Sequence, residues 1–275
     1  MKDKVITSIS TVQSFYKKQA TKLVILYSLV VGLLATFYFY SNHLITVLVD
    51  QNAHLNIARQ VIDSLTPGVS QFGSWPPFTQ IIIIPFVWND FLWHSGLAGS
   101  IPVLICFIIT TVFLYKSVLF LSKSHFASII SILLFSLNPN ILELAVSPLM
   151  EMPFLMFSVL TFYYVCRWVK EERVIYLFAS AFFSTMAVLT RFDGFIFPFV
   201  IAGIIILKYL FLRKGMRHLE ATLIVFLFLG LFGIAIDLAY NTVFLGDPLA
   251  FARGNWSAYA QQHIGGVRFY QVSII

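Results

Sequence analysis

Charge is the scarcest resource of this chain. Only 11% of its 275 residues are charged, against about a quarter in soluble domains, which excludes a fold wetted on all sides. Cysteine is nearly absent. Cys106 and Cys166 are the only two, both fall inside apolar stretches, and they offer neither a disulfide framework nor a metal-binding spacing. No glycine-rich phosphate loop occurs, so nothing calls for a soluble nucleotide. There is no internal repeat and no low-complexity tract. The first apolar stretch is too long for a cleavable signal, and no small-residue cleavage site follows it. What the chain has in abundance is hydrocarbon: 59% hydrophobic residues and a mean hydropathy of +0.86.

That surplus falls in seven stretches long enough, or nearly so, to cross about 30 Å of hydrocarbon as helices of about 20 residues. They are 20–41, 97–121, 125–142, 148–168, 174–190, 194–212 and 218–245. An eighth run, 77–93, is broken by Pro85 and fringed by Trp88 and Trp93. It is expected to lie in the membrane interface. Ahead of the first span, Val5, Ile6, Ile9, Val12, Phe15 and Tyr16 recur on one helical face, with Lys17, Lys18 and Lys22 at its end. Residues 1–19 therefore read as an amphipathic cytoplasmic segment lying on the leaflet. The fold class that follows is all-α: a polytopic integral membrane protein, one transmembrane domain over 1–275. Amphipathic interfacial helices are expected in a long first extracytoplasmic loop, 42–96, and a C-terminal segment, 246–275, on that same side.

The few charges are sorted by side. With the N-terminus in the cytoplasm, all of the eighteen basic residues fall inside except Arg59, Arg191, Arg253 and Arg268. This is the positive-inside bias, and counting 77–93 as a span would destroy it. The net charge of +6 is thus topology, and no nucleic-acid partner is expected. The acids run the other way. Asp50, Asp63, Asp90, Glu143, Glu151, Asp193 and Asp247 fall outside, and Asp237 lies within the last span.

Asp50 emerges directly from the first span, where an unpaired carboxylate near lipid is costly unless it has a task. After it, Ala53, Ile57, Val61 and Leu65 recur every four residues, predicting an amphipathic helix that Pro67-Gly68 ends. His54 follows Asp50 by four residues on roughly the same face, and Arg59 with Asp63 forms an i,i+4 pair. Glu143 and Glu151 stand at the outer ends of the third and fourth spans. Thr190-Arg191-Phe192-Asp193-Gly194 turns the chain from the fifth span to the sixth. Each feature alone has a plain structural reading: a solvated surface helix, a first-turn acid favoured by the helix dipole, an Arg–Asp pair in a tight turn. Together they gather on one face of one membrane. A carboxylate there can take a proton from an incoming hydroxyl, and an arginine can hold a phosphate leaving group bidentately. A lipid-linked phosphate suits the place, because its tail stays in the bilayer while its head reaches the loop.

In order along the chain, these motifs resemble the GT-C superfamily of polytopic glycosyltransferases, above all the dolichyl-phosphate-mannose–protein mannosyltransferases and their bacterial relatives. The resemblance rests on Asp50 with Asn56-Ile57-Ala58-Arg59, and on Ser74-Trp75-Pro76-Pro77 before the interfacial helix. It continues with Ser147-Pro148-Leu149-Met150-Glu151-Met152-Pro153, Leu189-Thr190-Arg191-Phe192-Asp193-Gly194 and Gly246-Asp247-Pro248-Leu249. It implies inverting transfer of a sugar from a polyprenyl-phosphate donor to a glycan, protein or lipid acceptor outside the cytoplasm. Asp50 would be the general base and Arg191, with Arg59, the donor-phosphate contacts. His54 and Glu151 would shape the pocket, and Glu143 and Asp193 would complete the substrate-binding set. Membrane lipid is the other expected partner. No cofactor is fixed by the sequence, and a divalent cation is left open. The family often has two acids where this chain has Asp50-Gln51, and a histidine near the position of Gln80. Its members usually carry more spans and often an outer soluble domain. The tail 268–275 reads as cut in mid-segment, so a fragment or reduced form is expected. Two competing readings are a non-catalytic subunit that binds a lipid-linked sugar or a partner transferase, and a transporter or flippase. The clean mid-depth of the spans and the lack of repeated halves speak against transport.

Overall fold

The computed structural model describes residues 2–212 and 215–254, with side chains from Gln19 onward. The expected amphipathic face of 1–19 and the tail beyond Gly254 lie outside the described residues and side chains. Among the described residues all regular structure is helical. The chain is an all-α polytopic membrane protein, and its surface says so. Leu26, Leu33, Leu34 and Phe37 on α1 (Lys2–Ser41), and Phe228 further on, stand more than half exposed. An apolar surface of that extent is built for lipid, not water.

Five stretches have the length and apolarity of membrane spans: Gln19–Ser41, Leu97–Ser122, Glu151–Glu171, Phe192–Phe211 and Met216–Leu245. The expected span over 125–142 is instead two helices, α6 (His125–Ser136) and α7 (Pro139–Val146), bent by 69°. It makes a sixth span only if the pair is counted as one. The bend has a local cause. Pro139 has no N–H to continue α6 and sits at the first position of α7, while the Asn138 side chain caps the new helix by accepting from Asn140 N at 2.9 Å. The expected span over 174–190 is α9 (Val174–Val188), 15 residues long. At 1.5 Å per residue it reaches about 22 Å, short of the hydrocarbon thickness of about 30 Å.

The helices α5 (Leu97–Ser122), α8 (Glu151–Glu171), α10 (Ile196–Phe211) and α11 (Met216–Gly230) pack with one face of α9, whose other face, with Ile175, Phe178 and Phe182, stays exposed. Two buried clusters do this. One joins Val103 and Phe107 of α5 to Met152, Met156, Phe157 and Leu160 of α8 and Ala187 of α9. The other joins Val165 and Trp168 of α8 to Leu177 and Ala181 of α9, Ile201 and Ile205 of α10, and Leu219 and Phe226 of α11. Ser180, Ala181, Ser184 and Ala187 are all buried. Small residues on this face let neighbouring backbones approach, which is how helices associate in lipid. The last span continues through α12 (Phe232–Tyr240) and ends in a π-helical turn over Asn241–Leu245.

The 42–96 segment folds as short helices across one end of this bundle. It holds α2 (Val49–Gln60), a 3₁₀ turn at Val69–Phe72, α3 (Phe78–Val87) and α4 (Asp90–Ser95). Pro85 is accommodated inside α3 and does not break it. The first helix ends at Gln60, well before Pro67-Gly68, and the face it buries is not the apolar stripe read from the sequence. Gln51, His54, Leu55 and Ala58 are buried, whereas Leu65, beyond the helix, is fully exposed. The polar face finds partners in the protein, and the stripe of Ala53, Ile57 and Val61 is left half-buried, as suits a helix in the interface.

Candidate active site

Four contacts bring chain-distant segments to the loop end of the bundle. Gln51 Nε2 donates to Ser147 Oγ at 3.0 Å, and Phe78 N donates to Leu189 O at 3.0 Å. Tyr240 Oη donates to Val69 O at 2.9 Å, and Phe251 stacks on Phe192 with ring centroids 4.6 Å apart. The candidate residues are distributed among these junctions.

Asp50 lies in the first turn of α2, exposed, with no hydrogen bond or ion pair among the described residues. Its neighbour Gln51 is fully buried and fixes the turn from both sides. Gln51 Oε1 accepts from Leu48 N at 2.8 Å while Nε2 reaches Ser147. Sequence reasoning passed over Gln51, although a glutamine at three-residue spacing from His54, on the face that continues to Ala58, was a signal of a buried polar face. His54, unlike Asp50, is turned into the protein. It is 1% exposed and packs on Trp75, ring centroids 4.6 Å apart. Gln80, also missed, sets its tautomer. With the amide oxygen toward the imidazole, Gln80 accepts from His54 Nδ1 at 3.0 Å and donates to the carbonyls of Pro76 and Pro77 at 3.0 and 3.2 Å. The ring therefore carries its proton on Nδ1 and leaves Nε2 as an acceptor. Burial pushes the His54 pKa down to about 4, because the charged form loses its water.

Arg59 is fully engaged away from this cluster. Its guanidinium pairs with Asp63 and Asp90, each at 2.9 Å, donates to Val87 O at 2.6 Å and lies 4.8 Å over the Trp93 ring. Hydrogen bonding and charge from Asp63 and Asp90 raise its pKa further. It clamps α2 to α3 and α4.

The second cluster is built at the α8 and α9 termini. Arg191 donates through Nη1 to Glu151 Oε1 and through Nε to Asp193 Oδ2 at 2.8 Å, and lies 5.9 Å over the Phe154 ring. Gly194 makes this turn: a Cβ there would stand 2.6 Å from the Ala187 carbonyl and from Val188 N. Glu151 Oε2 is buried and has no hydrogen-bond partner among the described residues. Glu143, on α7, is half-buried and its carboxylate has no partner among the described residues. The structure thus unites Glu151, Arg191 and Asp193 and ties the Asp50 turn to Ser147 at the α7–α8 junction. His54 reaches the Arg191 turn only through α3, whose first residue bonds Leu189. Arg59 stands apart. Among the described residues no three His, Cys, Asp or Glu side chains gather to hold a metal ion.

The model of the family described as dolichyl-phosphate-mannose-protein mannosyltransferase matches residues 89–240, more than half the chain. The matched stretch contains Glu143, Glu151, Arg191 and Asp193, while Asp50, His54 and Arg59 precede it. No curated protein and no solved structure shows a match to the chain.

Proposed function

We propose, from the premise that this chain belongs to the dolichyl-phosphate-mannose-protein mannosyltransferase family, that it transfers a sugar from a polyprenyl-phosphate donor to an acceptor hydroxyl at the loop end of its bundle. The family carries the coarse statement, a membrane glycosyltransferase of GT-C type. The finer reading assigns roles. Asp50 takes the proton of the acceptor hydroxyl as its oxygen bonds the anomeric carbon. The bond from that carbon to the phosphate oxygen breaks on the opposite face, which inverts the centre. Arg191, whose Nη2 has no partner among the described residues, meets the charge left on the phosphate. Glu151 and Asp193 hold the guanidinium in place, and Glu151 Oε2 offers an acceptor for a donor-sugar hydroxyl. Glu143 lines the approach from α7, and His54 Nε2 supplies a neutral acceptor at the back of the Asp50 helix.

The observation that carries this reading is Asp50 itself: an unpartnered carboxylate whose turn is pinned through Gln51 to Ser147, four residues before Glu151. The test is transfer from polyprenyl-phosphate sugars by the purified chain in lipid, beside Asp50→Asn. Loss of a general base costs about 10²–10⁴-fold in rate, and the variant should keep its donor affinity and thermal midpoint. If both proteins bind donor equally and neither transfers, the chain is a binding subunit and the catalytic assignment fails.

A further inference from the structure

Linked to the Asp50 helix by the hydrogen bond from Asn52 to Thr46 is a pocket of about 460 Å³ that the roles above leave unused. It sits between the end of α1, the 43–46 segment and α4, and presents Tyr40, His43, Thr46, Asp90, Phe91 and His94. Its size falls within the range of about 300–1,000 Å³ common to small-molecule sites.

The wall of the pocket is held by close backbone packing at Gly96. Gly96, at φ 80°, lets Ile45 and Thr46 come within 2.6 and 2.7 Å of where a Cβ would stand. His43 holds φ 56°, a left-handed conformation uncommon outside glycine. Asn52 Nδ2 donates to Thr46 O at 2.8 Å and to Leu48 O at 3.3 Å, so pocket wall and candidate base share one knotted segment.

Its unsatisfied groups are acceptors and groups that both donate and accept. His94 Nδ1 donates to Asp90 O at 2.7 Å, which leaves Nε2 of the neutral ring as an acceptor. One Asp90 oxygen takes Arg59, and the other has no partner among the described residues. The Tyr40 and Thr46 hydroxyls and the His43 ring are likewise uncommitted. Such a wall suits O–H groups, which donate and accept in turn, and the Asp90 carboxylate disfavours an anion. Tyr40 and Phe91, 38% and 62% exposed, offer ring faces for C–H surfaces. A neutral sugar has both: hydroxyls around its rim and an apolar face.

We propose that this pocket binds a neutral sugar unit of the acceptor and so delivers its hydroxyl to Asp50. The acceptor role rests on the transferase reading; the sugar recognition does not. The test uses the full chain in phosphatidylcholine nanodiscs, with methyl α-mannoside and methyl α-glucoside as probes and glycerophosphoethanolamine as the headgroup control, read by saturation-transfer NMR. One or both glycosides should bind. Tyr40→Phe, which removes a single hydroxyl, and His94→Ala should each weaken binding about fivefold, the cost of one neutral hydrogen bond. Glycoside binding unaffected by both pocket variants, binding of the headgroup control alone, or no binding at all would overturn the proposal. Pocket-dependent binding by a chain that never transfers sugar would keep the sugar site and remove its acceptor role.

Discussion

Arg191 gathers the polar contacts of its turn in a single fork. Its three nitrogens divide between Glu151, Asp193 and an open position, and that division needs a planar guanidinium. Lysine keeps the charge but not the fork. Arg191→Lys should therefore weaken donor binding by about tenfold or more, the value of one charge-assisted hydrogen bond, with little change in the affinity for acceptor. A titration of polyprenyl-phosphate sugar against both proteins reads this directly, and equal donor affinity would remove Arg191 from the phosphate. His54 makes a different prediction. Folded, its imidazole takes a proton only below about pH 4; unfolded, it does so below about 6.5. Between these values the unfolded chain binds more protons, so stability is intact above pH 6.5 and falls as pH drops toward 4. The full loss is on the order of 3 kcal/mol for a group this buried. The difference in thermal midpoint between wild type and His54→Gln should shift across that window; a constant difference would mean that the ring is not buried neutral. The sequence identified both residues, but the reasons were only half visible. Arg191 was legible because its partner Asp193 is two residues away. The burial of His54 depends on Trp75 and Gln80, which no local spacing reveals.

Elements were legible where hydropathy is uninterrupted and misread where a single residue redirects the chain. The 125–142 stretch has the composition of one span, yet Asn138 and Pro139 end one helix and start another, and a hydropathy window averages over that break. The face of α2 was misread for a related reason. Periodicity marks apolar residues, but at an interface the apolar stripe can belong to lipid, and here the residues turned to the protein include Gln51 and His54. Turns, by contrast, carry their constraints in one residue. Gly194→Ala would push a Cβ against the Ala187 backbone, and backbone cannot step aside as a side chain tip can. Overpacking of this kind costs about 1–3 kcal/mol. The thermal midpoint should fall and donor binding should fall with it, because the shifted turn carries Arg191. Gly203→Ala, on α10 with nothing within 4 Å of its Cβ, should leave both unchanged or add about 1 kcal/mol of helix stability. Matching effects at the two glycines would show that the Arg191 turn is not held by this contact.

At the scale of the whole molecule, contacts decide what helix length leaves open. At 15 residues the helix α9 is shorter than a full span. Yet Glu151 opens α8 and Arg191 follows α9, and the two are bonded, so the α8–α9 hairpin must leave one level of the bundle and return to it. The far turn of that hairpin is marked by Lys208 Nζ, which pairs with Glu172 at 3.1 Å and donates to Val169 O at 2.9 Å. The contact of Tyr240 with Val69 returns the last span to the loop end in the same way. Residues 42–96, 138–151, 189–195 and 241–254 therefore share one end, and the 123 and 172 turns share the other. By the positive-inside bias we propose that the second end faces the cytoplasm. In a background without Cys106 and Cys166, a membrane-impermeant maleimide should label Leu65→Cys and Asn140→Cys from outside intact cells. Ser122→Cys and Val174→Cys should react only after permeabilisation. Labelling of Val174→Cys from outside would mean that α8 does not cross, and the Glu151–Arg191 pair would then have to form without a membrane between its hairpin's ends. Reversal of the whole pattern would keep the fold and turn the candidate site to the cytoplasm, where a polyprenyl-phosphate donor would have to present its sugar on the opposite leaflet.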